Sequence, residues 1–204
     1  MKTINPNILI NLLSVPKMGR QRTRQLMSYF GPNVNPFELS IKELSSVKGI
    51  SKDIARSIKS YSRFELGEAE VEAACRKNIT LITCWNKHYP VLLKKIYDPP
   101  ILLYCTGLPL QPWEDTIAIV GTRRRYTAYG KSVIQSITRD LNLAGLTVVS
   151  GQARGIDTIV YQETVRNGCR TIAVLGTGLD ILYHPPRRKQ AAGLPDLRAV
   201  NDYH

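Results

Sequence analysis

The sequence predicts an α/β protein, a Rossmann-like, mostly parallel sheet preceded by a small helical domain. Three observations carry that expectation. Short apolar runs at 116–120, 146–150 and 171–175 alternate with amphipathic stretches long enough to be helices. Each run leads into a loop that contains glycine. The first sixty-odd residues, by contrast, show helical periodicity and no convincing strand.

In chain order, Leu9, Leu12 and Leu13 share one helical face, and a second short segment runs over 24–30 until Gly31-Pro32 stops it. A third helix is expected to begin near Phe37 and a fourth to run from Lys52 to about Phe64. Two phrases in this region resemble each other: Leu13-Ser-Val-Pro-Lys-Met-Gly19 and Leu44-Ser-Ser-Val-Lys-Gly-Ile-Ser51, each followed by a helix. Both are similar to helix-hairpin-helix turns, which point backbone N–H groups at a DNA phosphate with the help of the helix dipole. Each lacks one glycine of that pattern, the first in Lys17-Met18-Gly19 and the second in Gly49-Ile50-Ser51. A helical module used for packing or protein contact is an equal alternative.

The charged, alanine-containing run 65–77 reads as a connecting helix. Residues 80–85 form a strand candidate, and 89–96 a helix with Pro90 in its first turn. Asp98-Pro99-Pro100 breaks that helix, and 101–105 is a further strand ended by Gly107. Then come the regular alternations: strand 116–120 and helix 128–143, strand 146–150 and helix 157–166, and strand 171–175 with Gly176-Thr177-Gly178 behind it.

A net charge of +12 favours an acidic partner, most often nucleic acid, over a basic surface kept for solubility. Cys75, Cys84, Cys105 and Cys169 are irregularly spaced, and His88, His184 and His204 add no metal-binding pattern. Free thiols in a reducing cytosol and no metal or cofactor are therefore expected. No apolar run reaches the length of a membrane span. Asn5, Pro6, Asn7 and Asn11 interrupt the apolar N-terminus, which makes a poor signal peptide. A cytoplasmic protein is expected.

Three loops leave the carboxyl ends of the parallel strands: Gly121-Thr122-Arg123, Ser150 to Asp157, and Gly176 to Asp180. In an open α/β sheet the ligand crevice lies at that edge. Glycines there admit a phosphate to the backbone, and βα turns also need glycine in its own right. Three such loops flanked by Arg123, Arg124, Arg125 and Arg154 favour phosphate binding. The ligand is not a nucleotide held by a standard loop. Gly130-Lys131-Ser132 fails as a P-loop because Arg125 stands where the pattern needs glycine. Gly176-Thr177-Gly178 fails as a dinucleotide fingerprint because Ile181 stands at the third glycine. Ser150 lacks a nucleophile elbow. Asp157 and Asp180 suit capping better than acid–base work. Binding is favoured over catalysis.

The ordered motifs Ile119-Val-Gly-Thr-Arg123, Tyr129-Gly130, Val149-Ser-Gly-Gln-Ala-Arg-Gly-Ile-Asp157 and Thr171-Ile-Ala-Val-Leu-Gly-Thr-Gly-Leu-Asp180 with Tyr183 resemble the DNA-processing protein A (DprA/Smf) family. The segment from Tyr89 to Tyr104 with Gly107 is similar to the part that precedes them. The resemblance implies a helix-hairpin-helix or sterile-alpha-motif-like domain over 1–66 and an extended Rossmann-like DNA-binding domain over 67–204. It also implies a protein that is not an enzyme, that binds single-stranded DNA and that loads a RecA-type recombinase during natural transformation. Arg123 and the 150–153 loop would then hold DNA phosphates. The expected phosphate-binding set is Gly121, Thr122, Arg123, Arg124, Ser150, Gly151, Ala153, Arg154, Gly155, Gly176 and Gly178. Tyr126 and Tyr129 are candidates for stacking on bases.

The sequence departs from the family in three places. Val160-Tyr161 stands where Ala-His is usual, the Tyr-Pro element appears as Tyr183-His184-Pro185, and the chain stops at His204 where the family continues with further strands. The Pro-, Arg-, Ala- and Gly-rich tail suggests a truncated or frameshifted end, and a homodimer is expected only where the C-terminal region is intact. Two other readings stand beside this one. A phosphoribohydrolase-type enzyme would carry a Pro-Gly-Gly-x-Gly-Thr stretch that is absent here. A protein-interaction module would bind a partner and not DNA.

Overall fold

The computed structural model describes residues 4–124, 126–151 and 153–179 with their side chains, and the backbone of 197–202. The chain divides into two compact units, Met1–Leu103 and Tyr104–His204. Positive charge is unevenly shared between them: 16 Lys and Arg against 8 acids in residues 1–103, and 12 against 8 in residues 104–204.

The first unit begins with four helices, α1 (Pro6–Ser14), α2 (Arg20–Phe30), α3 (Ile41–Ser45) and α4 (Lys52–Lys59). Each start has a local cause. Asn5 caps α1 by accepting from the Asn7 N–H, with Pro6 in the first turn. Ser40 and Glu43 form a reciprocal capping box on α3, and Ser51 caps α4. The Ser40 hydrogen bonds hold the Glu43 carboxyl below its usual pKa. Fully buried Leu9, Leu12, Leu26, Met27, Leu44 and Ile58 form the core of this module. The two similar phrases become two turns, and the guanidinium of Arg22 ties them together by donating to the Lys17 carbonyl (2.7 Å) and the Gly49 carbonyl (3.1 Å).

Helix α5 (Glu65–Arg76) packs on α1 through a polar contact. Buried Asn11 donates to Asn7 Oδ1 (2.6 Å), and its own Oδ1 accepts from the Gly67 N–H (3.2 Å) and the Tyr61 hydroxyl (3.1 Å). The approach is so close that a Cβ on Gly67 would overlap Asn7 and Asn11. Beside it, Phe37, Tyr61 and Phe64 stack and pack edge to face with ring centroids 5.0–5.5 Å apart. Strand β1 (Thr80–Thr83), the one-turn helix α6 (Val91–Lys94) and strand β2 (Leu102–Thr106) follow, with the Cys84 N–H donating to the Ile101 carbonyl (3.0 Å).

The second unit supplies the parallel sheet. Strands β3 (Thr116–Ala118), β4 (Thr147–Ser150), β5 (Thr171–Leu175) and β6 (Leu197–Asp202) lie in the spatial order β6-β5-β4-β3, every neighbouring pair parallel. Helices α7 (Ala128–Leu143) and α8 (Ile156–Arg166) make the crossovers and pack on each other. Their core is Val148, Ile156, Ile159 and Val160, with Ile117, Ile119 and Ile134 packed against it. At the amino edge of the strands, Arg170 pairs with Glu114 (2.7 Å), and Glu114 also accepts from Thr147 (2.7 Å). That edge is closed by an ion pair.

The expected α/β, Rossmann-like sheet with a helical segment ahead of it is therefore present. Several boundaries differ from the sequence reading: α4 ends at Lys59, five residues before the expected Phe64, and β3 ends at Ala118, two residues before the expected 120. Helix α2 starts at Arg20, four residues before the expected 24, and α3 starts at Ile41 because Phe37 is spent in the aromatic cluster. The helix expected over 89–96 shrinks to α6, because the Tyr89 ring turns inward (2% exposed) and hydrogen-bonds the Pro100 carbonyl (2.7 Å). Strand β6 lies in the tail whose composition suggested no element.

Candidate nucleic-acid interface

The carboxyl edge of β3 and β4 is where two glycine loops lock into each other. The Ile156 N–H, the first of helix α8, donates to the Thr122 carbonyl (3.1 Å). Gly155 sits at φ 88° against the same carbonyl, and any Cβ there would overlap Thr122 and stand 3.0 Å from the Arg123 Cα. A Cβ on Gly121 would in turn meet the Ile156 side chain at 2.7 Å. Gly121 and Gly155 are thus required for loop-against-loop packing, which brings the Arg123 backbone beside the residue that follows Arg154.

The remaining expected residues take distinct positions. Ser150 is buried, and its hydroxyl donates to the Ile119 carbonyl (2.8 Å), so it joins the ends of β3 and β4. The Ala153 N–H donates to Asp157 Oδ2 (3.3 Å), and the Ala153 carbonyl accepts from the Thr158 hydroxyl (2.9 Å). Gly151 lies against the Asp157 carboxylate and within reach of the Val174 carbonyl at the end of β5. Asp157 therefore shapes the 150–157 loop from inside. Its Oδ1 is buried with no partner among the described residues. Gly176 is exposed with open space where a Cβ would stand, and Gly178 is half-buried. Thr122 Oγ1 accepts from the Arg124 N–H (3.4 Å) and orients the loop.

Side chains on the rim point to solvent. Arg123, Arg124 and Arg154 are exposed, and among the described residues none of them is in an ion pair. Tyr126 is 44% and Tyr129 80% exposed, the latter in the first turn of α7. Thr127 caps that helix by accepting from the Gly130 N–H (3.0 Å). Gly130-Lys131-Ser132 lies inside the helix, as its failure as a phosphate loop implies. The sequence reading did not foresee what the two loops do to each other, because the contact joins residues more than thirty positions apart. Arg125, Gln152, Asp180, Tyr183, His184 and Pro185 lie outside the described residues.

Chemically this edge combines backbone that closely approaches itself, three exposed guanidinium groups that form no ion pair among the described residues, and two exposed phenol rings. It suits a polyanion carrying flat, stackable groups. Where the family usually has Ala-His, Val160 is fully buried in the core and Tyr161 is half-buried, its hydroxyl pushed to a higher pKa by burial.

Comparison with known proteins agrees in direction. A family model described as DNA recombination-mediator protein A matches residues 80–196. The chain is 40% identical over 115 residues to the DNA processing protein DprA of Bacillus subtilis, covering 55% of this chain and 38% of that protein. It is 32% identical over 181 residues to the DprA of Streptococcus pneumoniae, covering 87% of this chain and 60% of the other. The X-ray structure of the Streptococcus pneumoniae protein superposes with a TM-score of 0.74 at 26% identity, over 98% of this chain and 69% of that one. The chain thus spans less than two thirds of the length of these curated relatives. Among the described residues, no helix is long and apolar enough to cross a membrane.

Proposed function

The chain belongs to the DNA recombination-mediator protein A family, and on that premise we propose that it binds single-stranded DNA along the carboxyl edge of its parallel sheet and delivers the strand to a RecA-type recombinase during DNA uptake. The observation that supports this reading is the locked pair of loops carrying exposed Arg123, Arg124 and Arg154. The guanidinium groups meet phosphates as fixed forks. Gly121, Thr122, Gly151, Ala153 and Gly155 hold the two loops in the shape that presents the arginines, Gly176, with Gly178 beyond it, leaves room for the strand to come close, and Ser150 holds the loops in register. Tyr126 and Tyr129 offer faces on which bases stack regardless of sequence. Little base preference and a strong salt dependence follow.

The test is fluorescence anisotropy of the chain against labelled single-stranded and duplex oligonucleotides across a salt series, with Arg123→Ala in parallel. The expected result is preference for the single strand and a steep log–log salt slope. Arg123→Ala makes that slope shallower by about 0.7 for each phosphate the guanidinium neutralises. Absence of binding at low salt, or an unchanged slope in Arg123→Ala, overturns this placement of the site. Recombinase delivery is read separately, from the rate at which a RecA-type filament forms on strand coated with single-strand-binding protein; no acceleration by the chain sinks that part.

A further inference from the structure

We propose a second contact for single-stranded DNA, within the first unit: the loop from Lys87 to Tyr97, whose lysines would hold phosphates and whose Tyr97 would stack on a base. The proposal rests on the single-stranded-DNA reading above but uses none of the sheet-edge residues.

The loop is anchored at its neck and bare at its tip. The buried Tyr89 hydroxyl donates to the Pro100 carbonyl (2.7 Å), closing the loop across eleven positions. Arg24 donates to the Pro99 carbonyl (2.9 Å) and pairs with Asp98 (3.0 Å), while Arg20 stands 3.9 Å from the same carboxylate. From this fixed base, Leu92 is 57%, Ile96 49% and Tyr97 96% exposed. Lys87, Lys94 and Lys95 are exposed as well, and no ion pair involves them among the described residues. A compact surface loop held at both ends and displaying apolar groups is the usual form of a recognition element.

Charge selects the occupant. Between Glu72 and Glu114 the sequence has one acid, Asp98, and the two arginines already engage it. The tip therefore presents exposed Lys87, Lys94 and Lys95, with no other acid near them in the sequence, beside flat or apolar Leu92, Ile96 and Tyr97. A polyanion whose bases are unpaired satisfies both halves of that pattern. A duplex hides its bases and would engage the lysines alone.

The experiment measures binding of the full chain to an oligo-dT strand of about 30 nucleotides, longer than the ~4–16 nucleotides that one module of this kind covers. Lys94→Ala/Lys95→Ala is expected to lower the magnitude of the salt slope by about 1.4, the share of two single-strand phosphates. Tyr97→Ala is expected to weaken binding roughly tenfold, with Tyr97→Phe restoring it because the ring face is kept. These side chains lie at the surface, so thermal melts should match that of the unsubstituted chain. Independently of any substitution, a strand carrying 5-iododeoxyuridine should photocrosslink to the peptide containing Tyr97. If Arg123→Ala weakens binding while both loop variants match the unsubstituted chain and no Tyr97 crosslink forms, the loop is not a contact and the sheet-edge site stands alone. Weakening by the loop variants but not by Arg123→Ala supports the loop and overturns the sheet edge. Loop variants that lose binding only to vesicles of equal phosphatidylserine and phosphatidylcholine, and not to oligo-dT, make the occupant a membrane surface and overturn the proposal.

Discussion

Gly155 shows how one missing side chain can set a whole site. Its positive φ and its contact with the Thr122 carbonyl exclude any Cβ. Gly155→Ala is expected to part the two arginine loops and to destabilise the chain by about 1–3 kcal/mol. Urea unfolding reads the stability loss, and anisotropy should show several-fold weaker strand binding. An alanine variant with the original midpoint and affinity would mean that the loops are not locked. Asn11 is the corresponding residue in the helical unit, a buried side chain with four partners. Asn11→Ala takes the acceptor from the buried Gly67 N–H, at about 1–3 kcal/mol. A shift of the urea midpoint to lower denaturant checks it, and no shift would show the contact to be dispensable.

At the scale of elements, legibility follows how local the cause is. Helix α7 occupies 128–143 as its periodicity implies, because Thr127 and the apolar spacing that follows it are all the information it needs. The start of α2 is hidden because Arg20, Gln21 and Arg22 are polar and carry no apolar periodicity, and the turn before them is held by the Arg22 guanidinium, which reaches the Lys17 and Gly49 carbonyls. Helix α3 does carry a readable sign, since Ser40 and Glu43 have the spacing of a capping box, yet Phe37 draws the expected start four residues early. Strand β6 pairs with β5 along five positions although its sequence, Leu197-Arg-Ala-Val-Asn-Asp202, has neither a continuous apolar run nor a strict alternation. For the site, the edge of the sheet and the arginines are legible from strand–loop order. The interlocking of Gly121 with Ile156 and of Gly155 with Thr122 is not, because nothing local in either loop specifies the other.

The molecule as a whole should lose stability in alkali. Burial pushes the Cys84 thiol up to about 11 and the Cys105 thiol up to about 12 from an ordinary value of 9.0. Raised values mean that the folded chain holds these protons more tightly than the unfolded one. Their stabilising contribution is complete below pH 9.0 and drains away as the pH climbs towards 11 and 12. Thermal melts from neutral pH upwards should fall over that window and fall less in Cys105→Ser; a flat profile would contradict it. In the same folded state exposed Cys75 should react fast with a disulfide reagent, while Cys84 and Cys105 wait for unfolding. The uneven sharing of charge has a further effect, on timing. Residues 1–103 carry twice the excess of cations that the sheet unit does, and electrostatic attraction acts before any contact forms. The first unit therefore exerts the stronger long-range pull on any polyanion, and added salt is expected to slow arrival more than it hastens departure.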